Sequence, residues 1–240
     1  MKISARNTLK GRVVEVTKGA TTAHVKIDIG AAYHGYAADV TRTYPVNGVF
    51  SDELRAIYQV VRDAQAAAEA LAAEGAARSD MSRAADGILA RGLAELGLIE
   101  SPDATYETGA GQAPQVRLYY MHGLGHGIGL DVHDPNPEPL APGSAFSIEP
   151  GLYVRPNLLT EVIPDTPANR RMIEAIRPAF ERFSGIGVRI EDDYILTENG
   201  LEWVSEGAPR EIDEIEAMLA RPRVDDGRNA EWVERYRRMR

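Results

Sequence analysis

Residues 187–192 read Gly-Val-Arg-Ile-Glu-Asp, a stretch that sets a glutamate, Glu191, inside apolar, strand-forming sequence. A second stretch, Ser-Ile-Glu-Pro-Gly at 147–151, has Glu149 in the same place after an isoleucine. The surrounding residues predict that both glutamates lie in the middle of strands. A buried carboxylate without a partner is costly, so we expect a cation or a basic group beside each of them.

Three further motifs offer side chains of the same chemistry. Asp28 lies in Ile-Asp-Ile-Gly, Asp39 in Ala-Asp-Val-Thr-Arg-Thr, and His126 in His-Gly-Leu-Gly-His-Gly-Ile-Gly. The two aspartates lie on consecutive predicted strands joined by a short turn, so antiparallel pairing would bring them close. With Glu149 and Glu191 they form an oxygen-rich set that suits a pair of hard or borderline divalent cations better than one zinc ion.

Each of these residues taken alone has a simpler interpretation. An isolated acid is more often a cap, a turn or a surface charge, and an isolated histidine is more often packed and hydrogen-bonded. Alternating glycines at 123–129 exclude a helical His-x-x-x-His zinc motif, and Leu130 replaces the last glycine that a dinucleotide-binding fingerprint requires. The metal-site hypothesis therefore depends on the whole set, which His133 could join from the same non-helical stretch.

Composition excludes several classes of protein. The chain has 240 residues, no cysteine and a net charge of −9, which removes disulfides and thiolate ligands and argues against a nucleic-acid partner. It has no apolar run of about 18 residues and no apolar amino-terminal stretch, so we predict neither a membrane span nor a signal peptide. These features favour a cytoplasmic enzyme.

Periodicity and turn residues predict a mixed α and β organisation. We predict strands over residues 9–16, 22–29, 36–44, 145–154, 187–197 and 201–204, and helices over 51–75, 80–96 and 211–219. Glycines and prolines predict a loop over residues 101–115, four prolines predict one over 135–142, and residues 155–181 are also expected to be a loop. The order of elements indicates antiparallel hairpins rather than a regular β-α-β alternation.

Together the motifs resemble the peptidase family that contains methionine aminopeptidase, aminopeptidase P and prolidase, from about Asp28 to Leu219. The similarity is greatest to bacterial Xaa-Pro aminopeptidases, through Arg189 two residues before the last acid, Asp-Val-His at 131–133 and Glu-Pro-Gly-Leu-Tyr at 149–153. The resemblance implies the pita-bread fold, an α+β domain with an antiparallel sheet flanked by helices, here with a truncated opening segment.

The resemblance also implies a set of metal ligands. Asp28 would chelate the first of two divalent ions, Asp39 and Glu191 would bridge both, and His126 and Glu149 would complete the second. Manganese is the expected metal, with cobalt, zinc or iron as substitutes. A water held between the ions would be the nucleophile.

Further residues receive catalytic roles from the same resemblance. Glu149 would carry the proton from the nucleophile to the leaving nitrogen, and His122 and His133 would donate to the substrate carbonyl or the developing oxyanion. Arg189 would brace the carboxylates. The implied substrate is a peptide with proline at its second position, and the implied assembly is a homodimer.

The predicted domain organisation has three parts: a β-rich segment at 1–27, the catalytic domain at 28–220 and an arginine-rich tail at 221–240. Residues 1–30 resemble the start of a molbindin-type molybdate-binding domain. Family members also contribute a histidine from their opening segment, and His24, on the same strand face as Asp28, is the one upstream histidine here.

Three alternatives to the aminopeptidase stay open at this point. They are an Xaa-Pro dipeptidase, a non-catalytic metal-binding module of the same fold, and oxyanion (molybdate) binding through residues 1–30.

Overall fold

The computed structural model describes residues 12–18 and 23–221, with the backbone alone for 12–18 and 23. The start of the molbindin-like segment and nearly all of the arginine-rich tail lie outside these residues. The proposed division of the chain at residues 27 and 220 therefore stays a prediction.

The amino-terminal sheet is antiparallel, with the order β1 (Arg12–Lys18), β2 (Ala23–Ile29) and β5 (Val40–Pro45). A small hairpin, β3 (Ala32–Tyr33) and β4 (Tyr36–Ala37), interrupts the path from β2 to β5. The prediction of one strand over 36–44 is wrong, because the chain breaks between β4 and β5, just at Asp39.

Two helices of 18 residues each, α1 (Asp52–Glu69) and α2 (Arg78–Glu95), pack against each other. The predicted start of α1 is confirmed, since Oγ of Ser51 accepts a hydrogen bond of 3.2 Å from the N–H of Leu54. A Cβ atom at Gly92 would come within 2.5 Å of the Val60 side chain, so this glycine permits the close approach of the two helices. The predicted helix end at Gly75 is wrong by six residues.

Two elements form where loops were predicted. Residues 101–115 contain a hairpin, β6 (Thr105–Thr108) and β7 (Gly111–Pro114). Residues 155–181 contain most of α3 (Pro167–Phe183), which begins at an N-cap hydrogen bond from the N–H of Asn169 to Oγ1 of Thr166. The glycines lie at the turn of the β6–β7 hairpin, and a proline lies in the first turn of α3.

The carboxy-terminal strands form two antiparallel sheets. One has the order β12 (Gly200–Trp203), β11 (Asp192–Thr197), β8 (Ala145–Ile148), and the other pairs β10 (Gly187–Arg189) with β9 (Gly151–Tyr153). Helix α1 contacts β8, β9 and β10, and α4 (Ile212–Leu219) follows β12. The predicted strands over 145–154 and 187–197 are thus each divided in two, so the chain passes from one sheet to the other twice.

The architecture is α+β with antiparallel sheets and flanking helices, as predicted. Within the described residues, no helix combines the length and apolar character that a membrane crossing requires.

Candidate metal centre

The five residues proposed as metal ligands converge on one place. Nε2 of His126 lies 3.7 Å from Oδ2 of Asp39, 3.5 Å from Oε1 of Glu149 and 3.6 Å from Oε1 of Glu191. Asp28, Asp39 and Glu191 form a second group, with one ligand atom from each within 4.8 Å of the others. Asp39 and Glu191 thus lie where they can serve both groups.

Three of these acids lie where a strand is interrupted. Glu149 follows the end of β8, Glu191 precedes β11, and Asp39 directly precedes β5. The prediction that Glu149 and Glu191 are mid-strand residues is therefore wrong. Pro150 lacks a backbone N–H donor and separates β8 from β9. The side chain of Glu149 therefore does not have to follow the alternating direction of side chains in a regular strand.

The glycine-rich loop explains how His126 reaches the acids. A Cβ atom at Gly125 would lie 2.1 Å from the backbone oxygen of Ser147, and one at Gly127 would lie 2.2 Å from that of Pro135. The alternating glycines therefore let the loop lie directly against its neighbours. The backbone N–H of His126 donates to Oγ of Ser147 at 3.1 Å.

The tautomer of His126 follows from its contacts. Nδ1 lies 3.0 Å from the carbonyl oxygen of Gly127, and a carbonyl only accepts, so Nδ1 carries the proton. In the neutral imidazole, Nε2 then faces the carboxylates with its lone pair, which is the form that binds metals once the second proton has left.

Buried atoms without partners test whether cations fit here. Nε2 of His126, Oε1 of Glu191 and Oδ1 of Asp193 are buried and have no hydrogen-bond partner among the described residues. Such orphaned groups are rare and call for an explanation. Oxygen ligands with one imidazole match the preferences of borderline divalent cations, so these residues fit a metal centre.

Electrostatics leads to the same conclusion. Burial, followed by the charge of Glu191, raises the pKa of Asp39 to about 8 and that of Glu149 to about 7. Burial lowers the pKa of His126, but the nearby carboxylate of Glu191, the contact with the carbonyl of Gly127 and the charge of Glu149 outweigh it and raise this pKa to about 9. The cluster therefore attracts positive charge, as protons or as metal ions.

Two residues that the sequence analysis missed hold this cluster. Oγ1 of Thr41 donates a hydrogen bond of 2.5 Å to Oε2 of Glu191, and Oδ2 of Asp193 accepts one of 2.9 Å from the N–H of Asp39. The signal for Asp193 was its spacing of two from Glu191, which puts both side chains on one face. Thr41 pairs with Asp28 across the β2–β5 ladder, a pairing that local sequence patterns do not predict.

Arg189 lies beside the carboxylates. Its Nη1 is 3.2 Å from Oε2 of Glu149 and 3.9 Å from Oδ2 of Asp28, and its Nε donates to the hydroxyl of Tyr153 at 2.9 Å. The Tyr153 hydroxyl also lies 3.0 Å from Nε2 of His122. Tyr153, whose role the sequence analysis missed, thereby links Arg189 to His122.

The remaining histidines occupy different positions. Nδ1 of His122 donates to the carbonyl of Gly123 at 2.8 Å, and burial first, then nearby positive charge, lowers the pKa of His122 to about 4. His133 is exposed, with its ring centroid 4.1 Å from that of His126. His24 is in none of the candidate metal groups; its Nε2 accepts a hydrogen bond of 3.1 Å from the N–H of Gly187.

The comparison with known families identifies the family of the chain. Residues 15–198 match the model of metallopeptidase family M24. The chain belongs to this family. Membership in a family of metallopeptidases implies divalent metal ions, and the donor set described above fits them.

Individual relatives of this M24 chain include aminopeptidases and a dipeptidase. Xaa-Pro aminopeptidase 2 of Streptomyces coelicolor is 42% identical over 195 residues, covering 78% of this chain and 37% of that protein. Human Xaa-Pro dipeptidase is 34% identical over 214 residues, covering 80% of this chain and 42% of that protein. The chain thus spans about two fifths of the length of these relatives.

A solved structure gives the same result. The Pseudomonas aeruginosa aminopeptidase PepP superposes with a TM-score of 0.65 at 33% identity, covering 82% of this chain and 41% of that one. This similarity confirms the predicted pita-bread fold for the M24 chain.

A buried ionic network lies next to the candidate metal centre of the M24 chain. Nη2 of Arg42 lies 2.6 Å from Oδ1 of Asp192, and Nη1 of Arg210 lies 3.1 Å from Oδ2 of the same residue. Nη1 of Arg42 also donates to the backbone oxygen of Glu191 at 2.7 Å. Because Asp192 directly follows Glu191, this network fixes the backbone that carries a candidate ligand.

Proposed function

We propose that this chain hydrolyses the bond between an amino-terminal residue and a following proline, as a metal-dependent Xaa-Pro aminopeptidase. The observation that carries the proposal is the position of Nε2 of His126, which faces three carboxylates at 3.5–3.7 Å. The similarity to Xaa-Pro aminopeptidases supports the choice of substrate.

We assign the metal ligands as Asp28, Asp39, His126, Glu149 and Glu191, with manganese as the preferred pair of ions. When bound, two such ions would acidify a water molecule and polarise the scissile carbonyl. Thr41 and Asp193 would hold the ligands in place through the hydrogen bonds described above.

Glu149 is the proposed proton carrier. Its two oxygens face different groups, Oε1 toward His126 and Oε2 toward Arg189 at 3.2 Å, so one of them can take up a proton while the other stays held. Arg189 would keep this carboxylate oriented, and general acid–base catalysis of this kind contributes roughly 10²–10⁴-fold.

His133 and His122 are proposed to orient the substrate. His133 is exposed beside His126, so its imidazole can meet a peptide at the mouth of the site. Both nitrogens of His122 already have partners inside the protein, so donation to a substrate would require it to exchange the contact with Tyr153.

A direct assay tests the proposal. Purified protein with added Mn²⁺ should release the first residue from an Xaa-Pro-Yaa peptide, and EDTA should stop the release. Turnover that continues unchanged after chelation would end the metal-hydrolase proposal. Binding of two metal ions without hydrolysis across a panel of peptides would favour the non-catalytic alternative.

A dipeptidase is the second candidate, and the similarity to human Xaa-Pro dipeptidase favours it. The two differ in whether the site accepts residues beyond proline. Hydrolysis of Xaa-Pro without hydrolysis of Xaa-Pro-Yaa would select the dipeptidase.

We further propose a homodimer that acts in the cytoplasm on peptides rather than nucleic acids. The net charge of −9 supports the last point. Light scattering of the purified protein would test the assembly. Molybdate binding through residues 1–30 stays a prediction, because residues 1–11 and 19–22 lie outside the described part of the chain.

A further inference from the structure

A groove of about 500 Å³ lies between helix α1 and the start of α4. None of the candidate metal ligands is among its lining residues, so it is separate from the metal centre. We refer to it as the acidic groove, because three of the side chains that line it are carboxylates: Asp52, Glu211 and Asp213.

The negative charge of the acidic groove is only partly neutralised. Arg55 is the one cation among the lining residues that the structure describes, and its Nη2 lies 2.7 Å from Oε1 of Glu216, which does not line the groove. The side chain of Asp213 is 98% exposed and lies 4.0 Å from Nη1 of Arg55. Asp52 forms no ion pair with any described residue. The groove therefore favours a positively charged occupant.

Apolar surface lies close to these charges. Ala56 and Ile212 line the same groove. At the other end of α4, Leu219 is 37% exposed, and a Cβ atom at Gly48 would lie 3.7 Å from its Cβ atom. Val49, in the same turn as Gly48, is 57% exposed. An occupant with apolar side chains on one face and arginines beside them would match this surface.

The arginine-rich tail has this composition. Residues 221–240 contain seven arginines and four acids, a charge of +3 in a protein whose net charge is −9. Trp232, Val233, Tyr236 and Met239 recur at i, i+1, i+4 and i+7, which is the spacing of one apolar helix face. All but the first residue of the tail lie outside the described part of the chain. The proposed metal centre gives this segment no role.

Helix α4 connects the acidic groove to the tail. It begins at Ile212, which lines the groove, and ends at Leu219, two residues before the tail. A helix rises 1.5 Å per residue, so the two ends are about 10 Å apart. Residues 222–231 can span up to about 33 Å when extended. Pro222 and Gly227 are turn-forming residues within them, so the chain is long enough to return along α4.

We propose that residues 228–240 fold back onto the same molecule and dock in the acidic groove. Their arginines pair with Asp52 and Asp213, and Trp232 packs against the apolar lining at Ile212. Exposed ion pairs are individually weak, so burial of the tryptophan supplies most of the stability of this contact and the charges select the place.

The groove is connected to the metal centre through the protein. Glu211 directly follows Arg210, whose Nη1 lies 3.1 Å from Oδ2 of Asp192, and Asp192 directly follows the candidate ligand Glu191. A docked tail would therefore restrain the part of the chain that holds this ionic network. Docking requires neither catalytic activity nor bound metal, so it can be tested separately from the proposed function.

Tryptophan fluorescence tests the docking in the full chain. The protein has two tryptophans, Trp203 and Trp232, so subtracting the emission of Trp232→Phe from that of the unchanged protein isolates Trp232. We expect acrylamide to quench this emission several-fold less than it quenches free tryptophan. Added salt should increase the quenching, because it screens exposed ion pairs.

Neutralising the groove should release the tail. In the double variant Asp52→Asn/Asp213→Asn, the quenching of Trp232 should rise several-fold, toward that of free tryptophan. The matched control is Asp103→Asn/Glu198→Gln, which makes the same change of net charge at two exposed acids that do not line the groove. This control should quench like the unchanged protein. Equal quenching in the two double variants would overturn the proposal.

A second measurement starts from the groove. The protein has no cysteine, so Gln59→Cys introduces a single thiol at an exposed position in the groove lining. Its reaction with a thiol reagent should become several-fold faster when Trp232→Ser and Tyr236→Ser are added, because the tail no longer covers it. An unchanged rate would contradict docking at this place.

Two further outcomes would assign the groove to another occupant and overturn the proposal. Shielding of Trp232 that is lost on dilution would mean that the tail docks on a second copy of the chain. A Trp232 that is quenched as freely as free tryptophan in the unchanged protein would leave the groove to an outside partner.

Discussion

The backbone N–H of Asp39 donates a hydrogen bond of 2.9 Å to Oδ2 of Asp193. Asp193 is only 4% exposed, and its other oxygen has no hydrogen-bond partner among the described residues. The bond fixes the main chain at a proposed bridging ligand, although the two residues are 154 positions apart in the sequence. We therefore propose Asp193 as a positioning residue for the candidate metal centre.

Asp193→Ala should weaken the binding of Mn²⁺ by about 10–100-fold, as is common for residues that orient metal ligands. Asp193→Asn keeps an oxygen that can accept the Asp39 hydrogen bond, so its loss should be smaller. Calorimetric titration of each variant measures the effect, with the exposed Glu198→Gln as the control. Unchanged affinity in Asp193→Ala would contradict the role.

Removal of the metal should lower the melting temperature. Ions that bind only the folded state stabilise it by about 2.7 kcal/mol at a concentration 100 times their dissociation constant. Differential scanning fluorimetry should therefore show a higher Tm with Mn²⁺ than with EDTA. Asp39→Ala should abolish this difference, and a shift of the same size in that variant would count against the ligand assignment.

The stability of the metal-stripped protein should fall as the pH rises from 6.5 to 9. The pKa of His126 is raised from 6.5 to about 9 and that of Asp39 from 3.8 to about 8, so the folded state binds more protons than the unfolded state in this interval. His122, whose pKa is lowered, acts in the opposite direction only below pH 6.5.

Urea unfolding at several pH values measures this dependence. Saturating Mn²⁺ should flatten it between pH 6.5 and 9, because the cations take over the place of the bound protons. A metal-stripped protein that becomes more stable toward pH 9 would contradict the electrostatic account of the cluster.

Arg42→Met should destabilise the fold by about 3–5 kcal/mol, because it leaves a buried carboxylate without one of its partners. Arg42 and Asp192 are 2% and 0% exposed, so water cannot replace the lost contact. Urea unfolding measures the change. The exposed pair of Arg83 and Asp80 provides the control, since Arg83→Met should alter stability by less than about 1 kcal/mol. A loss in Arg42→Met as small as in this control would refute the structural role of the network.

Glu149→Gln should reduce kcat by about 10²–10⁴-fold, because the amide has the shape of the carboxylate but cannot take up the proton. Metal content measured on the same sample separates loss of the proton carrier from loss of an ion. Activity close to that of the unchanged protein would exclude Glu149 as the proton carrier.

Much of the site follows from local sequence. The motifs around Asp28, Asp39, His126, Glu149 and Glu191 were recognisable because each puts a polar group into an apolar or glycine-rich context. Helix α1 was predictable from its apolar period and its Ser51 cap. Each of these signals is contained in a few consecutive residues.

Other features depend on contacts that local patterns do not contain. A run of apolar, strand-forming residues has the same sequence pattern whether it forms one strand or is divided between two sheets. The breaks at Glu149 and Glu191 were therefore missed. The roles of Asp193, Arg42 and Tyr153 come from partners far away in the chain. Helix α3 was also missed, and it contains Pro178, a residue type that normally argues against a helix interior.

Glu149 and Glu191 lie at the two breaks where the chain passes from one sheet to the other. A small shift of one sheet relative to the other would change the distance between these carboxylates without bending any strand. Two bound metal ions would connect Glu149 to Glu191 and so hold the two sheets together. Hydrogen exchange in β9 and β10 should therefore slow together when metal is added.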